Sequence, residues 1–164
     1  MIIIKKANYS IALKIGLFFF LFLAFSFFPL QDNGKDVLGI VSDNLLIKAA
    51  NGVFAKWGKL SSNHKVILID FSLPMEKERL FLVDLDSSKI VLKYKVCHGV
   101  GSGRTSIPVA FSDSSGSKMS PKGVFKTAET YYGSFGYSMC VDGLQQGINS
   151  NSRARRIIFH SSQK

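Results

Sequence analysis

The residues best suited to chemistry in this 164-residue chain are three histidines and two cysteines. His160 ends the apolar stretch RRIIFH, which predicts a short strand that delivers an imidazole at its end. An imidazole suits a general base, because its ordinary pKa lies near neutral pH. Cys97 and Cys140 lie within apolar or alternating runs, so we expect two buried structural thiols, with a disulfide between them as the alternative.

The spacing of these groups favours neither a metal site nor a cofactor site. His64, His98 and His160 are scattered and lack the paired spacing of zinc ligands, and the two cysteines form no metal motif. We therefore predict no metal and no cofactor. His64 lies in the polar stretch SSNH and is expected in a solvated loop, whereas His98 has two open interpretations: it lines a cleft, or it bonds within its own loop.

Two loop motifs resemble known catalytic signatures but lack the neighbouring residues or the order that those signatures require. The stretch HGVGSGR, residues 98–104, lacks the Gly-Lys-Ser/Thr ending and the following helix of a phosphate-binding loop. The stretch SGSK, residues 115–118, follows Ser-Asp-Asn at 42–44, which reverses the order found in serine acyl-enzymes. Acylation at Ser115 remains only a distant alternative.

The first 30 residues indicate export. Three lysines in the first 14 residues precede an uncharged apolar run at 15–30, which is the pattern of a secretory signal, and Ala24 and Ser26 offer a cleavage site. An uncleaved anchor that holds the protein in the inner membrane is the alternative. The net charge of +10 suggests an anionic partner, and export makes nucleic acid a poor one.

The rest of the chain is predicted to be helical first and then mainly β. Residues 31–60 form a lead-in segment in which apolar residues recur at steps of three and four, typical of one amphipathic helix or of two broken at Asn51-Gly52. Residues 61–164 contain six strand-like runs, namely KVILIDFS, ERLFLVDL, KIVLKYKVCHG, KGVFKTAE, YSMCVDG and RRIIFH. A long Gly- and Ser-rich loop, residues 99–121, separates the third run from the fourth. The expected class is mainly β with an N-terminal helix, α+β overall.

Four ordered stretches carry a resemblance to a known family. They are LIDFSLPMEKERLFLVDL, VCHGVGSG, FSDSSGSKMSPKGVFKTAETYYGSFGYSMCVDGLQQGIN and RARRIIFH. Together they resemble the murein L,D-transpeptidase catalytic domain of the YkuD type, in a branch common in Gram-negative bacteria, and SPKGVF is similar to a signature of that fold. The resemblance implies a β-sandwich exported to the periplasm or cell envelope, where it acts on peptidoglycan stem peptides by cysteine acyl transfer.

The resemblance also implies roles for particular residues. His160 matches the family's general base, and two loops match the walls of the substrate cleft, with candidate binding residues His98, Gly99, Gly101, Ser102, Gly103, Ser112, Ser120 and Gly123. The family's nucleophile follows that histidine in a Gly-Arg-Ser-x-Gly-Cys-Pro-like segment, which these 164 residues do not contain. We therefore expect a partial domain, incomplete at its C-terminus and inactive in this form. The alternative is a non-catalytic exported protein that binds anionic cell wall or membrane, and the sequence leaves the oligomeric state open.

Overall fold

The computed structural model describes residues 2–5, 34–60 and 63–161, with side chains described at 43–59 and 63–161. One α-helix and seven strands, together with two short 3₁₀ helices at Gly58–Leu60 and Val100–Ser102, make up the regular structure of these residues. Their bounds are β1 Ile2–Lys5, α1 Gly34–Trp57, β2 Lys65–Asp70, β3 Leu80–Asp84, β4 Lys89–Tyr94, β5 Gly123–Gly133, β6 Gly136–Gly143 and β7 Ile158–His160. The mainly β, α+β class is confirmed. The apolar run at 15–30 lies outside the described residues.

The strands form one sheet in the order β4-β3-β2-β1-β5-β6-β7. Two three-stranded antiparallel groups, β2–β4 and β5–β7, are joined by β1, which runs parallel to β2 and antiparallel to β5. The six strand-like runs of the sequence correspond to β2–β7. The strand β1 was not predicted, because its four residues read as the start of an export signal.

Helix α1 packs against one face of the sheet. Its core-facing residues Leu46, Ala50, Val53 and Trp57 follow the spacing i, i+4, i+7 and i+11, and they contact a cluster that includes Val66, Leu68, Phe81 and Val83. Leu45 and Ala49, which the steps of three and four in the sequence also assign to the apolar stripe, are exposed, because the buried stripe runs one residue further along the helix. Of the two alternatives for this segment, the single helix is confirmed.

The helix continues through Asn51-Gly52 instead of breaking there. The Asn51 side-chain amide donates a hydrogen bond to the Ile47 carbonyl at 3.0 Å, which ties the residue to the preceding turn of the helix. Among the described residues, no helix is sufficiently long and apolar to cross a bilayer.

A second hydrophobic core lies on the other face of the sheet and packs against the long loop. Ile69, Phe71, Phe125 and Val141 are buried there, and Val96 and Phe111 pack on them from the loop's two sides. Phe159 of β7 joins the same cluster. This face therefore connects the strand that carries His160 with Val96, shortly before the Gly/Ser-rich segment, and with Phe111 in the middle of that segment.

Candidate active site

The predicted cleft residues of the two loops form one hydrogen-bonded group. The Gly99 N–H donates to Ser120 Oγ at 2.9 Å, and the Ser120 N–H donates to Ser102 Oγ at 2.9 Å. The Gly101 N–H donates to the Lys118 carbonyl at 2.9 Å, which completes the seam between the loops. We call residues 98–106 and 112–120, held together in this way, the loop pair.

Glycine at two of these positions permits the close approach of the loops. A methyl group on Gly101 would lie 2.1 Å from the Ser117 carbonyl oxygen, and one on Gly99 would lie 2.4 Å from that of Lys118. Both contacts are with backbone, which cannot swing away as a side chain can. The glycines are thus needed for packing between loops, whether or not they also contact a substrate.

His98 lies inside the loop pair, with both ring nitrogens bonded. Its Nδ1 is 3.0 Å from Arg79 Nη2, and its Nε2 is 3.1 Å from the Gly103 carbonyl oxygen. A guanidinium only donates and a carbonyl only accepts, so Nδ1 is the acceptor and Nε2 carries the hydrogen. His98 therefore bonds within its own loop, and its place in a substrate cleft stays a prediction.

Arg79 was missed by the sequence reasoning. It is fully buried, and its guanidinium donates to the carbonyl oxygens of Val96 at 2.8 Å, Leu73 at 3.0 Å and Ser106 at 3.3 Å. The guanidinium carbon of Arg79, Cζ, lies 4.7 Å from the centre of the Phe71 ring. Burial lowers the pKa of Arg79 from its ordinary value. The sequence feature that could have indicated this buried role is the single arginine at the start of the apolar strand RLFLVD.

The second loop is held by a different arginine. Arg155 donates to the carbonyls of Ser112 and Met119, both at 2.7 Å, and to Ser117 Oγ at 3.0 Å. Its Nη1 lies 3.6 Å from Oδ1 of Asp113, a buried oxygen that has no hydrogen bond. Ser112 also lines a cavity of about 360 Å³ between residues 111–114 and 147–151.

Gly123 begins β5 with a φ of +110°, a conformation that favours glycine. The amide of buried Asn149 donates to the carbonyls of Lys122 at 3.2 Å and Val124 at 2.9 Å, on either side of it. Gln145 Oε1 accepts the Val124 N–H at 2.8 Å. The immediate neighbours of Gly123 are thus the side chains of the 145–149 turn.

His160 ends β7, and its ring contacts the backbone of the next residue. Its Nδ1 lies 2.9 Å from the Ser161 carbonyl oxygen, which can only accept, so Nδ1 carries the hydrogen. In the neutral ring Nε2 then holds the lone pair and can take a proton. The ring is exposed and stacks on Phe135 at 4.7 Å between centroids.

The side chain of His160 points away from the face of β7 on which the residues next to the loop pair pack. Successive side chains of a strand point to opposite faces, and Phe159 belongs to the cluster that contains Val96 and Phe111. His160 therefore points to the opposite face, where Ser138 of β6 is its cross-strand partner. The structure brings the loop residues together and places His160 on the far side of its strand.

The cysteines differ from the expected pair of buried thiols. Both are free, and Cys97 is exposed, because its neighbours Val96 and His98 turn inward and alternation directs it outward. Cys140 is half-buried on the face of His160. Partial burial raises the pKa of the Cys140 thiol, with a further contribution from the neighbouring Glu129 carboxylate.

The family of the chain follows from a comparison with protein families. Residues 40–164 match the L,D-transpeptidase catalytic domain of the YkuD type, which is most of the chain. The chain belongs to this L,D-transpeptidase catalytic domain family, and the resemblance noted in the sequence is confirmed. Neither the curated proteins nor the solved structures contain a match to the chain.

Proposed function

We propose that this domain takes part in cysteine-dependent acyl transfer on peptidoglycan stem peptides, with His160 as the general base. Membership of the family supports a cell-wall substrate. The hydrogen bond from His160 Nδ1 to the Ser161 carbonyl is the observation that carries the residue assignment, because it leaves Nε2 as the proton acceptor.

The reaction that the resemblance implies gives this histidine two proton transfers in each half. In the first half the nucleophilic thiol gives its proton to Nε2, the sulfur attacks the carbonyl carbon between the stem's diamino acid and a D-amino acid, the C–N bond breaks, and the leaving amine takes the proton. In the second half the amine of a neighbouring stem attacks the thioester carbon and gives a proton to Nε2, the C–S bond breaks, and the sulfur takes that proton. A positioned base contributes roughly 10²–10⁴-fold to such a step.

We further propose that neither cysteine of these 164 residues is the nucleophile. Cys97 follows β4 and Cys140 lies within β6, so neither falls after His160, where the resemblance places the nucleophile. Cys140 shares the face of His160, and partial burial raises the pKa of its thiol, which disfavours the reactive thiolate. The 164-residue chain alone is therefore expected not to form an acyl-enzyme.

Carbapenem acylation followed by intact-protein mass spectrometry tests this expectation. We expect no mass increase for the 164-residue chain, with an active L,D-transpeptidase as the positive control. A stable adduct that disappears in Cys97→Ser or in Cys140→Ser would show that a resident cysteine is the nucleophile after all.

Substrate class is tested by titrating the chain with a free tetrapeptide stem while the His160 ring signals are followed by NMR. We expect the ring and loop signals to shift, and an equally long peptide without the diamino acid should shift them less. Unchanged signals with the tetrapeptide would remove the support for stem-peptide binding.

We also propose export to the periplasm or envelope of a Gram-negative bacterium, with residues 1–30 as a signal or an inner-membrane anchor. Export by this route takes residues 2–5 out of the sheet, so the pairing of β1 with β2 and β5 belongs to the chain before export. The lysine-rich start and the apolar run at 15–30 support this location. Fusing residues 1–40 to alkaline phosphatase should give active, exported enzyme, and an inactive cytoplasmic fusion would contradict the location.

The net charge of +10 favours a second candidate, a non-catalytic protein that binds anionic cell wall or membrane. Co-sedimentation with purified sacculi separates the two candidates. Binding that salt abolishes and that His160→Gln leaves unchanged would favour the non-catalytic protein, because surface charge attraction is screened by ions.

A further inference from the structure

Arg79 is a buried cation that has only neutral partners among the described residues. Its donors meet three carbonyl oxygens and the Nδ1 of His98. The carboxylates of Glu76 and Asp70 act on it through space, and neither forms an ion pair with it in the described part of the chain. Burying a charge in this way costs free energy of folding, which indicates that Arg79 has a functional role.

The partners of Arg79 belong to segments that are far apart in the sequence. Leu73 follows β2, Val96 and His98 follow β4, and Ser106 lies within the long loop. The Met75 N–H also donates to the Ser106 carbonyl at 3.0 Å, which reinforces the same junction. The guanidinium is thus the point at which the turn after β2, the end of β4 and the first half of the loop pair meet.

A fixed donor at Nδ1 determines which nitrogen of His98 carries the hydrogen. Because Arg79 Nη2 always donates, His98 must accept there, and its hydrogen is forced onto Nε2. That Nε2–H then donates to the Gly103 carbonyl and closes residues 98–103 into a loop. The loop in turn bonds Ser102 Oγ to the Ser120 N–H.

We propose that Arg79 is a positioning residue for the substrate loop: it holds His98 as the Nε2–H tautomer and so sets the loop pair in place. This inference rests on the proposed function only in taking the loop pair as a wall of the stem-peptide site. Lysine cannot replace arginine here, since an ammonium lacks the planar fork that reaches four acceptors in separate directions.

Long-range ¹H–¹⁵N NMR of the histidine side chains in the full 164-residue chain tests the proposal directly. At neutral pH His98 should appear as the Nε2–H tautomer in the wild type. In Arg79→Lys we expect a mixture of tautomers, together with shifted amide signals for Gly101 and Ser120. Arg104→Lys, a change at an exposed arginine of the same loop, is the matched control and should leave all of these signals in place.

Two results would overturn the proposal. One is a wild-type His98 that carries its hydrogen on Nδ1, a measurement that needs no variant and so stands even if Arg79→Lys does not fold. The other is a folded Arg79→Lys variant in which His98 and the loop amides are unchanged.

The affinity for the free tetrapeptide stem then connects this position to function. We expect Arg79→Lys to weaken binding by about tenfold, as for the loss of one charge-assisted hydrogen-bond system, and Arg156→Lys, at an exposed arginine outside the loop pair, to leave it within error. If the wild type binds no stem peptide, the proposed substrate fails, whereas the tautomer measurement still decides the role of Arg79.

Discussion

Arg153 lies in the turn region between β6 and β7, and its half-exposed side chain joins two carboxylates near Cys140. It binds Asp142 through two parallel contacts, at 2.7 and 3.0 Å, and it also contacts Glu129. The hydrogen bond from Arg153 is the largest reason that the pKa of Glu129 falls from 4.5 to about 2. Glu129 therefore stays ionised beside the Cys140 thiol throughout the neutral and mildly acidic range.

A pH titration of Glu129 checks this ion triad. The folded-state pKa lies below the unfolded one, so the carboxylate contributes stability above about pH 4.5, and this contribution is lost as pH falls towards 2. We expect the ¹³C signal of the Glu129 carboxyl to titrate near pH 2. Both partners are exposed, so the accompanying change in the free energy of unfolding should be small.

Arg153→Gln is the matched variant for that titration. Removing the guanidinium should move the Glu129 midpoint up towards 4.5, while Arg156→Gln, at an exposed neighbouring arginine, should leave it unchanged. A wild-type midpoint already near 4.5 would show that the triad does not persist in solution.

The two halves of the loop pair depend on a close backbone contact at Gly101. We expect Gly101→Ala to separate residues 99–103 from 117–120, because its methyl group would lie 2.1 Å from the Ser117 carbonyl oxygen. The loss of the Gly101–Lys118 hydrogen bond and the induced shift should lower the free energy of unfolding by roughly 1–3 kcal/mol. Chemical denaturation measures this change.

Gly52→Ala is the control for adding the same methyl group elsewhere. Gly52 lies inside α1, and no atom lies within 4 Å of the added carbon. Alanine there should raise the free energy of unfolding by about 0.5–1 kcal/mol, because glycine is a poor helix residue. Equal effects of the two substitutions would argue against the close loop contact.

Strand elements were predictable from the sequence, whereas the loop interior was not. Alternation and β-branched content located β2–β7, since those signals are local. The buried roles of Arg79 and Arg155 depend on carbonyls that are brought together only by the fold, so periodicity carried no sign of them. The outward position of Cys97 was missed because the apolar run KVCHG continues past the last paired residue of β4, Tyr94.

At the level of the whole molecule, β1 holds the two antiparallel groups together. Its residues pair with β2 on one side and with β5 on the other, so its backbone N–H groups point to a neighbouring strand. Ile3 is the central example, opposite both Leu68 and Val124. Proline at this position would remove a donor that a strand between two neighbours needs.

We therefore expect Ile3→Pro to lower the free energy of unfolding by roughly 1–3 kcal/mol, and Ile3→Val to change it little, since valine suits a strand. Thermal unfolding of the full chain measures both, and faster hydrogen exchange at β5 amides should accompany the proline variant. Equal free energies of unfolding for the proline and valine variants would mean that residues 2–5 do not stabilise the sheet and belong functionally to the segment that follows them.

The central place of β1 also has a consequence for the order in which the protein folds. Ile2 is made almost first, yet one of its partners is Ile67 and the other is Phe125. The sheet cannot close until β5 has been synthesised, and pairings so distant along the chain form slowly. Until then β2 and β5 present open edges of the kind that recruit other chains. The chain is thus most exposed to aggregation between the synthesis of β1 and its pairing with β5.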